Sequence, residues 1–120
     1  MVLRLIVSLG ISLGFIWHVH AQPEASDQGH VNVISVSGVI GPVSLKQIKE
    51  GIAKSEADSA RCLIIVLDTL GGLLETTQMI IKAILASDVP IVVYVGPSGA
   101  GAGSAGIFVI MSAHVAAMAP

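Results

Sequence analysis

Short apolar segments alternate with segments of helical periodicity along this chain, and that alternation narrows the folds open to it. Three runs rich in β-branched residues, each followed within a few residues by glycine, predict strands; they are Val31 to Val36, Leu63 to Leu67 and Ile91 to Val95. Strands that alternate with helices over such distances form βαβ units with right-handed crossovers. The sequence therefore predicts an α/β fold built of repeated βαβ units on a mainly parallel sheet.

Three helices and a fourth strand complete this prediction. Ser44 stands three residues before Gln47, the spacing of a capping box, so we expect the first helix to begin at Ser44 and to run to Lys54. The run Leu63 to Leu67 has no polar residue, which predicts a strand buried on both faces. The expected bounds of the remaining elements are Leu73 to Ala86 for the second helix, Ala102 or Ser104 to Ser112 for the third, and Val115 to Met118 for the fourth strand.

The first 21 residues have the organisation of a secretory signal. Arg4 precedes an apolar stretch from Leu5 to Trp17, and Val19 to Ala21 resembles a cleavage site before Gln22. An uncleaved anchor is the alternative, although this stretch is shorter than the roughly 20 residues that span a bilayer comfortably. We expect export, a flexible lead-in over residues 22–30 and one domain over residues 31–120.

Composition excludes several classes of function. Only 12% of the residues are charged and the formal net charge is -2, with no cluster of Lys or Arg among aromatic residues, so nucleic acid is not an expected partner. The four histidines are scattered and Cys62 is the single cysteine, so we expect no metal site and no internal disulfide. Because Cys62 precedes an apolar strand, we expect its side chain to be buried.

The mean hydropathy of +0.86 is high for a water-soluble domain. It predicts that the chain packs against copies of itself, lies beside a membrane, or lacks a part that would cover its apolar surface. The sequence stops at Pro120, soon after the fourth predicted strand begins, with no helix and no polar tail behind it. We therefore expect a domain that is truncated after its third helix.

The run Gly99 to Gly106 holds only glycine, alanine and one serine, Ser104. Such residues let the backbone approach a partner closely, and glycine also allows positive φ. Residues 102–106 nearly match the Gly-x-Ser-x-Gly turn of hydrolases and lack only its first glycine. Ser104 is therefore a candidate nucleophile; the alternative is that it only caps the third helix.

A nucleophilic serine also needs a base and N–H donors for the oxyanion that forms. Gly71 and Gly72 lie where the second strand meets the second helix, and backbone N–H groups at a helix N-terminus lack helical partners. Ala105, next to Ser104, offers another N–H. Both loops follow the carboxyl ends of strands, so we expect them at the same edge of the sheet. A tight strand-to-helix turn would explain the two glycines without an oxyanion.

Gly101 to Gly106 also satisfies the dinucleotide-binding pattern Gly-x-Gly-x-x-Gly, but its first glycine comes six residues after Val95 and not directly at the strand end. The acidic residue expected about 20 positions further on would fall beyond Pro120. No Lys-Ser or Lys-Thr follows these glycines, which excludes a Walker phosphate loop. We therefore expect no cofactor.

No convincing general base lies within the sequence. His114 comes ten residues after Ser104, on the far side of the third predicted helix, and we expect its imidazole to be satisfied by hydrogen bonds or to lie at an interface. Lys82 lies in the middle of the second helix, away from Gly72, and is expected at the surface.

Five ordered blocks of this sequence resemble the NfeD family of membrane-bound serine proteases, which are of the Clp-protease class. The blocks are Ser37 to Pro42, Leu67 to Leu74, Val93 to Ala100, Gly103 to Gly106 and Ser112 to Pro120. The resemblance implies a ClpP/crotonase-like fold in which Ser104 is the nucleophile, Gly72 and Ala105 provide the oxyanion donors, and Gly71 is a further candidate donor. It also implies that the base is the lysine of a Ser-Lys dyad, located beyond Pro120.

The same resemblance implies a serine endopeptidase that cleaves hydrophobic segments of membrane-associated proteins, including stomatin-like partners, and that acts as a homo-oligomer, a dimer or larger. An extracytoplasmic, membrane-associated location is implied as well. Leu70 stands where the family usually has proline, and Gly101 replaces a commonly larger residue, so we expect looser loops around the site. With the lysine outside the sequence, little or no turnover is expected from these 120 residues.

Two other classes of function stay open at this point. An exported interaction module of the same fold would bind a membrane protein through its apolar surface, with Ser104 only as a helix cap. A crotonase-like acyl-CoA enzyme would also use paired backbone N–H groups for an oxyanion, but an export signal argues against a CoA substrate.

Overall fold

The structure, a computed structural model, describes residues 29–120. Strands and helices alternate along this part of the chain. The predicted signal and the lead-in up to residue 28 lie outside the described residues. The elements are β1 (Asn32–Ser37), α1 (Pro42–Ala57), β2 (Leu63–Asp68), α2 (Leu74–Leu85), β3 (Ile91–Val95), α3 (Ala105–Ser112) and β4 (Val115–Met118).

The four strands form one parallel sheet in the order β1-β2-β3-β4. Val36 of β1 lies opposite Leu67 of β2, and Leu67 lies opposite Val95 of β3. Because the strands are parallel, their carboxyl ends and the loops that follow them meet at one edge of the sheet. The predicted α/β fold of repeated βαβ units on a parallel sheet is confirmed.

The hydrophobic core lies between one face of this sheet and the helices. α1 packs against α2, and α2 packs against α3. Successive strand residues point to opposite faces, and those that point towards the helices, such as Leu63, Ile65 and Leu67, are fully buried. Burial of an aliphatic side chain contributes about 1.5–3 kcal/mol, so this layer is the main source of stability. The core also contains Val36, Ile40, Ile48, Ile52, Ile80, Ile84, Val89, Ile91, Val93, Ala105 and Val109.

The prediction that the second strand is buried on both faces is wrong. Ile64 and Val66, on the face away from the helices, are only partly buried. On the same face, Val33 of β1 is 58% exposed and Val115 of β4 is 54% exposed. The three helices all lie on the other face, so the apolar run of β2 belongs to a sheet that is covered on one side within residues 29–120.

The first helix begins earlier and ends later than predicted. Its first residue is Pro42, after the N-cap Gly41, and proline suits this position because an N–H there would have no helical partner. Ser44 is not the N-cap but the third helical residue, and its Oγ accepts the Gly41 N–H at 2.8 Å. The Ser44 side chain therefore caps the helix from its third residue, and the N-cap lies three residues earlier than predicted, at Gly41 and not at Ser44. The helix extends to Ala57 and not only to Lys54.

The bounds of the later elements agree with the predictions to within one residue, except that α3 begins at Ala105, next to the predicted start at Ser104 and three residues after the alternative start at Ala102. His114 is satisfied as expected: its N–H donates to the Ile91 carbonyl at 3.0 Å, and its Nδ1 accepts the Ile91 N–H at 3.1 Å. Lys82 is exposed on α2, also as expected. Cys62 is only partly buried, because it lies just before β2 and not within it.

Of the predicted lead-in, residues 29 and 30 are described, and His30 is held to the domain. Its carbonyl accepts the Arg61 N–H at 2.9 Å, and its Nε2 lies 3.1 Å from Asp58 Oδ1. Among the helices of residues 29–120, none is long and apolar enough to cross a membrane.

Candidate active site

Ser104 lies between the loop that follows β3 and the first residue of α3. Its backbone has φ 46° and ψ -111°, a region that residues other than glycine rarely adopt. The side chain is exposed, and its hydroxyl makes no capping hydrogen bond with α3. The geometry therefore does not support the interpretation of Ser104 as a helix cap. A strained serine at a strand-to-helix turn is the arrangement found in the nucleophile elbow of α/β hydrolases.

The turn that follows β2 brings Gly71 against Ser104. A Cβ atom on Gly71 would lie 2.8 Å from Ser104 Cβ, 3.3 Å from Ser104 Oγ and 3.5 Å from the Ala105 nitrogen. Gly71 also has a φ of 126°, which side chains disfavour. The two glycine-containing loops thus meet at the carboxyl edge of the sheet, and only glycine fits at this contact.

Gly72 is fixed by an isolated parallel bridge with Ile40. The Ile40 N–H donates to the Gly71 carbonyl, and the Leu73 N–H donates to the Ile40 carbonyl, both at 2.9 Å. A Cβ on Gly72 would lie 2.1 Å from the Ile40 oxygen, so a side chain cannot be accommodated there without moving the backbone. The bridge holds the N-terminal end of α2 beside the loop that follows β1.

Two backbone N–H groups of this region, those of Gly72 and Ala105, make no hydrogen bond to any group of residues 29–120. They lie at the N-terminal ends of α2 and α3, where unpaired N–H groups and the helix dipole favour negative charge. The third candidate donor is already engaged, since the Gly71 N–H donates to Thr69 Oγ1 at 3.0 Å. Two unpaired donors from two loops can bind the oxyanion of a tetrahedral intermediate.

Two residues that the sequence analysis did not single out connect the loops. The Thr69 N–H donates to the Gly101 carbonyl at 2.8 Å, and the Gly103 N–H donates to the Thr69 carbonyl at 2.9 Å. Asp68 Oδ1 accepts the Gly101 N–H at 3.0 Å. The signal in the sequence was a pair of polar residues at the carboxyl end of an apolar strand, at the edge where α/β sheets place their sites.

The two departures from the family pattern have different surroundings. Gly101, where a looser loop was expected, has both its N–H and its carbonyl in hydrogen bonds to Asp68 and Thr69. Leu70 has a side chain that is 91% exposed. Its carbonyl oxygen lies 3.1 Å from the position of a Cβ on Gly103, so the loop that carries Ser104 also passes close to this turn.

A cleft of about 210 Å³ opens beside the turn that carries the glycine pair. Two of its lining side chains are apolar and highly exposed, Val39 at 77% and Leu70 at 91%. Gly38, Asp68 and Thr69 complete the lining. A cleft with apolar walls and few polar groups suits an apolar side chain of a bound ligand.

Within residues 29–120, the hydroxyl of Ser104 has no hydrogen-bonding partner. The lysines of this part lie on α1 and α2, and His114 is bonded to the backbone of Ile91. No group of histidine, cysteine or acidic side chains suited to a metal ion occurs in the same part of the chain. Among residues 29–120, the site therefore consists of an exposed hydroxyl with two unpaired N–H groups in the adjoining turns, and none of the described side chains is hydrogen-bonded to that hydroxyl.

Comparison with known proteins links this chain to membrane-bound proteases. No protein-family profile matches it. The membrane-bound protease PH1510 of Pyrococcus horikoshii is 38% identical over 90 residues, which are 75% of this chain and 20% of that protein. The solved structure of 1510-N, a membrane protease specific for a stomatin homolog from the same organism, is 36% identical with a TM-score of 0.74, over 78% of this chain and 47% of that one.

Two further solved structures extend the comparison. A mutant of 1510-N in which a lysine is replaced by alanine, in complex with a substrate peptide, is 37% identical with a TM-score of 0.75, over 77% of this chain and 42% of that one. A mutant of ClpP1 from Listeria monocytogenes has a TM-score of 0.62 over 68% of this chain and 46% of that one, and at 20% identity it supports the fold alone.

The fold is therefore that of the ClpP-like α/β proteins. Within that class, the chain is homologous to the membrane-bound, stomatin-specific protease PH1510, which confirms the resemblance seen in the sequence. The chain spans about a fifth of the length of this curated relative and less than half of the solved structures.

Proposed function

We propose that this chain carries the nucleophile and the oxyanion donors of a serine endopeptidase. The observation that supports this most directly is Ser104, whose exposed hydroxyl sits on a strained backbone against the turn that carries the glycine pair. Strain at a single serine costs on the order of 1–3 kcal/mol and persists only where the surrounding structure enforces it. A role in chemistry accounts for that cost, whereas a helix cap does not require it.

In the proposed reaction, Ser104 Oγ attacks the carbonyl carbon of a peptide bond while its proton passes to a general base. The carbonyl oxygen becomes an oxyanion, which the N–H groups of Gly72 and Ala105 stabilise. The base then gives the proton to the leaving amine, and an ester between Ser104 and the acyl part of the peptide remains. Water hydrolyses this ester and regenerates the serine.

The base in this proposal is the lysine of a Ser-Lys dyad that lies outside the described residues. Support comes from the relatives, since solved forms of 1510-N include a serine-to-alanine mutant and a lysine-to-alanine mutant with a substrate peptide. The Ser104 hydroxyl is exposed and has no hydrogen-bonding partner among residues 29–120, which is compatible with such a group beside it. A neutral lysine is suited to this role because burial lowers the pKa of an amine.

The proposed substrates are hydrophobic segments of membrane-associated proteins, including stomatin-like proteins, because the relatives are specific for a stomatin homolog. The exposed apolar side chains of Val39 and Leu70 beside the cleft suit such peptides.

We further propose an extracytoplasmic, membrane-associated location, in agreement with the signal-like N-terminal sequence and the membrane-bound relative. A homo-oligomer, a dimer or larger, is part of the same proposal.

The experiment is covalent labelling by a fluorophosphonate, which reacts with activated serines, of the protein expressed from its complete natural gene. Peptide mapping is expected to place the label on Ser104, and Ser104→Ala is expected to abolish it. Ser98→Ala is the matched control, because Ser98 is an exposed serine of the same loop region and its hydroxyl donates to the Pro120 carbonyl. Labelling that survives in Ser104→Ala, or that disappears in Ser98→Ala, would contradict the assignment.

A further inference from the structure

Thr69 contacts the three loops that form the candidate active site and the first turn of α3. It is 2% exposed and follows β2 directly. Its backbone bonds to Gly101 and Gly103 attach the loop that carries Ser104 to the end of the strand. The side chain therefore sits between this loop and the turn that carries the glycine pair.

The hydroxyl of Thr69 makes hydrogen bonds to two different loops. It donates to the Gly38 carbonyl at 2.5 Å, which ties in the loop after β1. It accepts the Gly71 N–H at 3.0 Å, which fixes the peptide group that precedes Gly72 by one residue. Because this hydroxyl occupies the N–H of Gly71, the next N–H along the turn, that of Gly72, is the one left unpaired.

The methyl group of Thr69 has a separate role in packing. A Cβ on Gly106 would lie 2.7 Å from Thr69 Cγ2, so the first turn of α3 rests directly on this methyl group. The start of α3 carries both Ser104 and Ala105. One buried side chain thus sets the distance between the helix that carries the nucleophile and the turn that carries the other N–H donor.

We propose that Thr69 is a positioning residue whose hydroxyl holds the turn at Gly71 so that the Gly72 N–H is presented together with that of Ala105. This inference rests on the proposed protease function, which it deepens. The hydroxyl acts through hydrogen bonds that only an oxygen at this position can make, so its role is separable from that of the methyl group. Misplacement of a catalytic group by about 1 Å can reduce a rate on the order of 100-fold.

The test compares two substitutions, each of which removes one of the two groups on the Thr69 Cβ, the hydroxyl or the methyl. Thr69→Val keeps the methyl group and the shape but removes the hydroxyl, and Thr69→Ser keeps the hydroxyl but removes the methyl group. We expect Thr69→Val to slow fluorophosphonate labelling of Ser104 on the order of 10- to 100-fold in the protein expressed from its complete gene. Thr69→Ser is expected to label within about threefold of the wild type.

Amide hydrogen exchange supplies a readout that does not depend on catalysis. The Gly71 amide should be protected in the wild type and in Thr69→Ser, and should exchange much faster in Thr69→Val. Ile52→Val shortens a buried side chain of α1, so it controls for a general loss of stability and is expected to change neither readout.

The outcomes separate this inference from the proposed function. If the wild type is not labelled at Ser104, the protease function itself is wrong. If the wild type is labelled and Thr69→Val labels equally fast, or Thr69→Ser is as slow as Thr69→Val, the positioning role of the hydroxyl is overturned. Should Thr69→Val fail to fold, an unprotected Gly71 amide in the folded wild type would overturn it as well.

Discussion

Gly71 and Ser104 are in van der Waals contact across two loops, so close that a methyl group on Gly71 would overlap the serine. A Cβ on Gly71 would lie 2.8 Å from the Cβ of Ser104, closer than such atoms approach in folded proteins. Both residues have positive φ, 126° for Gly71 and 46° for Ser104. The strained serine therefore rests on a residue whose lack of a side chain makes the contact possible, and each loop limits the movement of the other.

Gly71→Ala is expected to disrupt this contact. The added methyl group would collide with Ser104 and would also occupy a φ that L-residues disfavour, so we expect a loss of about 1–3 kcal/mol in the free energy of unfolding. Labelling of Ser104 by a fluorophosphonate should fall with it. Gly101→Ala is the matched control, because nothing lies within 4 Å of a Cβ at that position. Urea denaturation of the two variants checks this prediction, and equal stabilities would refute it.

The fold was largely predictable because the spacing of apolar residues along the sequence indicates strands and helices directly. The apolar runs that became β1, β2 and β3 and the helical spacing of α2 are local patterns. The start of α1 was missed because Ser44 can cap a helix either as its first flanking residue or from the third helical position. The pattern of residue types is the same in both cases, and only the backbone decides between them.

The site was predictable only in part. Ser104 and Gly72 became candidates because a lone hydroxyl and a pair of glycines stand out in the turns after two strands, and Ala105 became one because it follows Ser104. Thr69 was missed because its role depends on bonds to residues 38 and 71 that no local pattern encodes. The same bond explains why the N–H of Gly71, which the sequence could not distinguish from that of Gly72, is not available as a donor.

Ser104→Gly is expected to stabilise the protein relative to Ser104→Ala. Alanine keeps the Cβ that makes a φ of 46° unfavourable, whereas glycine adopts this conformation without strain, so we expect a difference of about 1 kcal/mol in unfolding free energy. Ser59→Gly provides a matched comparison, because Ser59 has a φ of 54° outside the site and should gain stability in the same way. A Ser104→Gly variant that is no more stable than Ser104→Ala would show that the backbone there is not strained.

The imidazole of His114 is expected to contribute to the pairing of β3 with β4. Its Nδ1 accepts the N–H of Ile91, a fully buried residue at the start of β3. His114→Ala leaves this N–H without a partner and should cost about 1–2 kcal/mol, while His114→Asn places an amide oxygen in a similar position and should recover at least half of the loss. Urea denaturation distinguishes the two variants, and an equal loss in both would mean that the hydrogen bond contributes nothing.

Asp58 is expected to make the stability of this domain fall in acid. The hydrogen bond from Lys54, with further ones from Asn32 and His30, holds the pKa of the Asp58 carboxyl well below its usual range. The Asp58 carboxyl has a lower pKa in the folded protein than in the unfolded chain, where the pKa of aspartate is about 3.9. The ionised carboxylate therefore stabilises the folded state fully above about pH 3.9, and this stabilisation is lost as the pH falls towards the folded-state pKa. Asp58→Asn should therefore show a shallower decrease in urea midpoint between about pH 4 and pH 2 than the wild type. Glu50→Gln removes the exposed ion pair in which Glu50 Oε1 lies 3.8 Å from Lys46 Nζ, and this variant should retain the wild-type slope. A steep decrease in Asp58→Asn would assign the acid sensitivity to other carboxyl groups.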